Sequence, residues 1–358
     1  PFTISVIKEG FEGAKREQLS LPLGETKTFN FDLESEATDL EAVEVVATSG
    51  ATVFDPNNMG ATSNVSRDMI DSLPSISRSL EDFVRTDPRI TQIDKGRGGI
   101  SVAGQNNRYN SITIDGVPTN DPFGLNDNGL ASLNQPISLD TIEQVSIGVS
   151  GFDVSQSDFT GANINAIPKS GTNEFSGTVY YNFQDNDLIS DNPSEFLGFT
   201  QQKTYGFTLG GPILQDNLFF FVSYEKFEQD LGAPSIGLLG GNAVTNLRFI
   251  SPADVARVQQ VARTVYNFDV GTAEIPPGVT NEDDKLLVKL DWNINDSHRL
   301  SVRYNETNGE VLRFRDLNSG NFALSTQWDV DDRTTESWVA NLYSDWSASF
   351  STELSVSN

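Results

Sequence analysis

From about Ser170 to Asn358, apolar and polar residues alternate with period two in seven successive segments. Gly177, Val179, Tyr181 and Phe183 stand opposite Thr178, Tyr180 and Asn182. Tyr205, Phe207 and Leu209 stand opposite Thr204, Gly206 and Thr208. Phe220, Val222 and Tyr224 form the apolar face of the third segment, blurred by Phe219 and Phe221. Leu286 to Trp292, Leu300 to Tyr304, Trp338 to Trp346 and Phe350 to Val356 repeat the pattern. A period of two places alternate side chains on opposite faces of a strand, so each segment reads as a strand with one apolar face. Alternation alone fits any half-buried antiparallel sheet. The connections narrow the choice, because their lengths run about 20, 6, 56, 4, 29 and 3 residues. Long and short alternate throughout. A soluble sandwich has no reason to gather its long loops at one end, whereas a membrane barrel has short turns at one rim and long loops at the other. Tyr181, Tyr205, Tyr224, Trp292, Tyr304, Trp338 and Trp346 lie near segment ends, where barrels carry interfacial aromatic girdles. Residues 170–358 are therefore expected to be antiparallel transmembrane β-barrel strands.

Composition removes other classes. Among 358 residues, 50 Asp and Glu face 24 Lys and Arg, for a formal net charge of −26. Nucleic-acid partners are not expected, since phosphate contacts need clustered cations. The absence of cysteine excludes disulfides, thiolate zinc sites and cysteine nucleophiles. His298 is the single histidine, and it follows the turn Asn295-Asp296-Ser297, so a surface or lumen position is expected rather than a catalytic one. No metal-protease motif, nucleophile elbow or P-loop occurs. No enzyme activity, catalytic residue, cofactor or metal site is expected. The carboxylates Asp185, Asp187 and Asp191, and Asp329, Asp331 and Asp332, lack EF-hand spacing and read as solvated loops. The longest apolar run, Leu218 to Val222, is far short of the ~18 residues of a spanning helix.

The N-terminal half reads differently. In residues 1–33, Phe2, Ile4 and Val6, then Phe29, Phe31 and Leu33, alternate as short strands on either side of a turn at Pro22-Leu23-Gly24. So few apolar side chains cannot make a core alone, and the stretch reads as a β-sandwich remnant. Residues 34–58 form an acidic linker holding the β-prone run LEAVEVVAT, Leu40 to Thr48. That run is either a strand of a neighbouring domain or an exposed segment captured by strand addition. Residues 59–169 combine two short helices, Ser66 to Leu73 and Ser79 to Arg85, with strands at Ile100 to Ala103, Ser111 to Ile114, Ile142 to Val149 and Asn163 to Ile167. Asp115-Gly116 marks a turn. The fold class is an α+β domain followed by antiparallel transmembrane barrel strands. Within the long connection, Ser251-Pro252 starts a helix that runs to Tyr266.

Five stretches carry a family resemblance: LPSISRSLEDFVRTDPRI (Leu73 to Ile90), GQNNRYNSITIDGVPTNDPFGL (Gly104 to Leu125), PISLDTIEQVSI (Pro136 to Ile147), FTGANINAIPKSGTNEFSG (Phe159 to Gly177) and LFFFVSYEKFE (Leu218 to Glu228). As a set they resemble TonB-dependent outer-membrane receptors, in particular the Oar-like group with an N-terminal carboxypeptidase-regulatory-like domain. Ile167-Pro168 before Lys169 departs from the family's usual strand residues. The resemblance implies that residues 59–169 are a plug domain inside a barrel of about 22 strands. It implies a bacterial outer-membrane location, lipid around the barrel, and a plug and N-terminus facing the periplasm. It makes Leu40, Glu41, Ala42, Val43, Glu44, Val45 and Val46 a TonB-box-like segment for the periplasmic protein TonB. It also places Arg97, Arg108, Tyr109 and Asn110 on plug loops that help bind a bulky ligand, an iron chelate, a glycan or a peptide. Competing with ligand contact, Arg97 and Arg108 pair with wall carboxylates. Seven strands against about 22 make the chain read as a fragment with a partial barrel. Energy-coupled uptake is the expected function. An adhesin or scaffold on the same barrel, and a soluble carbohydrate-binding protein, are the alternatives.

Overall fold

The computed structural model describes residues 2–7, 13–19, 29, 31, 62–75, 78–94, 99–123, 126, 128–132, 134–149, 159–185, 188, 199–231, 236–241, 243, 245–274, 280–314, 318, 320–347 and 349–358. The chain divides into two compact units, one of Pro1–Gly129 and Ile142–Pro168, the other of Leu130–Thr141 and Lys169–Asn358.

In the first unit, β1 (Phe2–Val6) and β2 (Ala14–Leu19) form an antiparallel pair. Phe29 and Phe31 lie outside any strand, Phe31 under the Arg16 guanidinium, and Leu33 is outside the described residues. β3 (Thr62–Ser66) leads directly into α1 (Arg67–Ser72), because the Ser66 hydroxyl accepts from the Met69 N–H as an N-cap. α2 (Glu81–Val84) is one turn long, with Phe83 and Val84 buried. β4 (Ile90–Asp94) pairs with β5 (Gly99–Val102). β6 (Ser111–Ile114), β7 (Val117–Pro118), β8 (Ile142–Gly148) and β9 (Asn163–Pro168) join β3 in a five-stranded sheet of order β3-β8-β9-β6-β7. Asp115 and Gly116, both with positive φ, make the two-residue turn from β6 to β7. Val65, Ile114, Ile142, Val145, Ile147 and Ile164 are almost wholly buried and form the core of this sheet. Pro168 ends β9 opposite Ile142, where the register slips. The missing proline N–H thus falls at a strand end, where a ladder bond is dispensable.

The second unit is built on one antiparallel meander: β10 (Ser176–Asp185), β11 (Phe199–Leu214), β12 (Leu218–Leu231), β15 (Thr280–Asn295), β16 (His298–Arg313), β17 (Asp329–Ser347) and β18 (Phe350–Ser357). The short pair β13 (Ile236–Gly237) and β14 (Thr245–Asn246) and the helix α3 (Pro252–Tyr266) lie in the long connection. α3 has the expected bounds. Its Ser251–Asp254 capping box and Pro252 in the first turn start it, and Asn267 in the left-handed region ends it. The strands are longer than expected, so the connections shrink to residues 186–198, 215–217, 232–279, 296–297, 314–328 and 348–349. Their alternation of long and short remains. The sheet does not close, and β10 and β18 are its edges among the described residues.

Candidate functional site

The large sheet has an inverted polarity. Leu209, Val222, Val288, Tyr304 and Trp338 stand side by side across five strands, and Phe220, Leu290, Val302, Ala340 and Val356 form the next row. Members of this face are open, with Val179 at 88% and Leu354 at 58% exposure. On β12, β15 and β16 the opposite face is largely polar and buried. It holds Ser223, Glu225, Lys285, Lys289, Asn305 and Thr307, and Arg303 is only 1% exposed. Phe221 belongs to this buried face, beside Lys289, which explains the blurred pattern around Phe219 and Phe221. A sheet in water buries its apolar face, so the reverse arrangement marks a wall whose outside meets lipid. On β15 the apolar positions run from Leu286 to Ile294, about 27 Å of strand. A tilt of 35–45° reduces that to about 20 Å, near the ~25 Å apolar band of outer-membrane barrels. Beyond it the same face turns charged. The Tyr224 hydroxyl donates to Asp284 at 2.6 Å, and Lys226 Nζ donates to Glu282 at 2.9 Å. The tyrosines therefore sit where apolar surface gives way to charge, as girdle residues do.

Residues 130–141 belong to the unit of this wall and are fixed to its polar face. Glu225 is buried in the wall, where it accepts from Lys285 Nζ at 2.8 Å, Tyr180 OH at 2.8 Å and Ser138 Oγ at 3.0 Å. Asp283 accepts from Asn134 Nδ2 at 2.8 Å and lies 3.8 Å from Lys285 Nζ. Thr141 donates to Ser223, and Asn305 donates to the Pro136 carbonyl at 3.4 Å. Gly206 is required here, because a Cβ there would overlap the Tyr180 ring. Buried charges survive when paired and hydrogen-bonded, and this set satisfies that condition. Ile137 and Leu139 of the same segment are buried.

In the first unit, the turns around Asn107–Tyr109 are held by side chains bonding backbone. Asn106 Oδ1 accepts from the Arg108 N–H, the Tyr109 carbonyl accepts from the N–H groups of Thr160 and Gly161, and Asp121 accepts from those of Phe123 and Asn126. Such turns are set by Asn and Asp chemistry rather than by a core.

The comparisons with known proteins divide the chain near the same place, except that residues 130–141 fall within the plug match. Residues 57–162 match the TonB-dependent receptor plug domain, and residues 167–267 match an outer-membrane β-barrel domain. The TonB-dependent transporter Oar of Myxococcus xanthus is 28% identical over 331 residues, covering 86% of this chain and 28% of that protein. The chain thus carries a match to a TonB-dependent receptor plug domain followed by a match to an outer-membrane β-barrel domain. Two solved structures share the fold. The outer-membrane transporter YddB of Escherichia coli has a TM-score of 0.58 at 15% identity, covering 83% of this chain and 38% of that one. The ferric enterobactin receptor of Pseudomonas aeruginosa has a TM-score of 0.55 at 14% identity, covering 83% and 40%. The chain thus spans well under half the length of these relatives. It is an outer-membrane protein of bacteria, and in this family of transporters and receptors the plug faces the periplasm.

The expected plug residues separate in the structure. Arg108 and Tyr109 are exposed on their turn. Asn110 is 1% exposed: its Nδ2 donates to the Ile100 carbonyl at 3.0 Å and its Oδ1 accepts from the Ala162 N–H at 3.1 Å. That amide ties β5 to the residue before β9. Gly161 beside it has no room for a Cβ. Phe123, 81% exposed, follows the turn signal Asn120-Asp121-Pro122 and adds an open aromatic side chain to this unit. Arg97 and the TonB-box-like segment Leu40 to Val46 lie outside the described residues. Asp331 is held by Arg333 and Arg313, which gives the expected solvated carboxylate two cationic partners. The wall residues Glu225, Asp283 and Lys285 were also missed, because their partners Ser138 and Asn134 stand 87 and 149 residues away in sequence.

Proposed function

We propose that the complete protein imports a bulky ligand across the outer membrane, with energy delivered through TonB. The observation that carries this reading is a plug domain followed, in one chain, by a wall with a lipid-type exterior and a buried polar interior. Leu40, Glu41, Ala42, Val43, Glu44, Val45 and Val46 form the segment that TonB captures. An extended run adds to a sheet edge through backbone hydrogen bonds, with alternate side chains setting register. The turn of Arg108, Tyr109 and Asn110, with Arg97, contacts the ligand, an iron chelate, a glycan or a peptide. A cation beside an aromatic suits each of these classes. The protein does no covalent chemistry, and β1 and β2 are the end of a carboxypeptidase-regulatory-like sandwich.

The test is uptake by cells carrying the full-length receptor, with panels of fluorescent siderophores, glycans and peptides. Deleting residues 40–46 should abolish accumulation and leave surface binding intact. Accumulation that survives the deletion contradicts TonB coupling at this segment. Surface binding without accumulation in TonB-proficient cells would identify an adhesin.

A further inference from the structure

Among the described residues, β3 is an edge strand and the first plug strand after the linker, so tension on residues 34–58 reaches it before any other described plug element. Five register positions join it to β8, from Thr62↔Gly148 to Ser66↔Gln144. Its inward face carries two side chains, Ser63 and Val65, both 1% exposed. An edge strand over an apolar core would ordinarily place an apolar residue at both positions. Here the first is a hydroxyl, and it donates at 2.6 Å to Oδ2 of Asp87, a carboxylate with no exposure at all. Asp87 Oδ1 accepts from the backbone N–H and the Nε of Arg89, both at 2.9 Å, and Arg89 NH2 pairs with Oδ2. We propose that Ser63, Asp87 and Arg89 form a release latch, which sets how long the plug resists a pull from its N-terminal side.

The physical case has two parts. A hydrogen bond loses most of its strength over a small displacement, whereas apolar contact declines gradually with area. Ser63–Asp87 therefore holds firmly and then releases abruptly. After release, Asp87 keeps its three bonds from Arg89, so no buried charge is stranded and the latch is ready to close again. Burial alone would raise the Asp87 pKa. The Arg89 and Ser63 hydrogen bonds hold it below the ordinary value instead, so the acceptor stays ionised near neutral pH.

The inference rests on the reading that the N-terminal segment is pulled, and its test needs no TonB. The full-length receptor in proteoliposomes is held under constant force between residue 50 and the vesicle support, and the lifetime before the first extension is recorded. Ser63→Ala should shorten that lifetime about ten-fold, the size expected for one lost hydrogen bond to a charged group. Ser63→Thr should restore it, and Val65→Ala should shorten it distinctly less than Ser63→Ala. An unchanged lifetime in Ser63→Ala, or a Val65→Ala effect as large, overturns the latch. Failure of uptake with these lifetimes intact would instead count against the transport reading and leave the latch standing.

Discussion

The plug sheet and the wall sheet both obey a period of two, yet they bury opposite halves of it. In the plug, Val65, Ile114, Val145, Ile147 and Ile164 point inward. In the wall, Glu225, Lys285, Arg303 and Asn305 are buried and Val179, Leu290, Trp292 and Val356 are open. Alternation therefore reports that a strand has two different faces. It does not report which face meets protein, and the surrounding solvent decides that. The two seams differ accordingly. The plug core is held by non-directional apolar burial, whereas segment 130–141 is held to the wall by directional bonds to Ser223, Glu225 and Asp283.

The largest expected effect lies in that polar seam. Lys285→Met alone leaves Glu225 and Asp283 buried without their cation and should cost about 3–5 kcal/mol. Adding Glu225→Gln should recover part of the loss. Urea unfolding of the refolded receptor in detergent measures both, and a Lys285→Met value within error of the wild type would break the contrast between the seams. Next is the outer face. Leu290→Arg should cost about 2–4 kcal/mol if the site is near the bilayer midplane. Folding yield into phospholipid vesicles reports it, and undiminished insertion would mean that Leu290 faces water.

A pH titration separates the plug from the wall through Asp87, which lies outside the spanning strands. The folded-state pKa of Asp87 is depressed by its hydrogen bonds from Arg89 and Ser63, against the upward push of burial. Its contribution to stability is thus full above the unfolded value of about 3.9 and is lost as pH falls through the lower folded value. The stability gap between wild type and Asp87→Asn should hold from pH 7 to about 4 and narrow below that. A gap that widens on acidification would contradict the assigned direction. The smallest effect is local to α3, where Ser251→Ala should remove about 1 kcal/mol from the loop helix and nothing from the wall. Hydrogen exchange across residues 252–266 measures it.

How much of this was legible in the sequence follows from where each cause lies. The start and end of α3 were readable because Ser251, Pro252 and Asp254 act within one turn. The strand faces from Leu286 to Trp292 were readable because lipid imposes alternation there. The strand ends were not. Asn281, Glu282, Asp283 and Asp284 are polar on both faces, so β15 begins at Thr280 with no visible pattern. The burial of Asn110 was not readable either, because its partners Ile100 and Ala162 stand 10 and 52 residues away. The seat of residues 130–141 was hidden for the same reason. Charged residues in wall strands, Glu225 and Lys285, were its single local trace.

The central claim is that the apolar face of the wall meets lipid while the polar face is sealed. The chain contains no cysteine, so single cysteines can be placed along β15 from Leu286 to Trp292 and spin-labelled in vesicles. Collision with oxygen, which concentrates in lipid, and with a water-soluble nickel chelate is then measured at each position. Residues 286, 288, 290 and 292 should be open to oxygen and closed to nickel, with 287 and 289 closed to both. Nickel access along the even positions, or no alternation at all, would contradict the account.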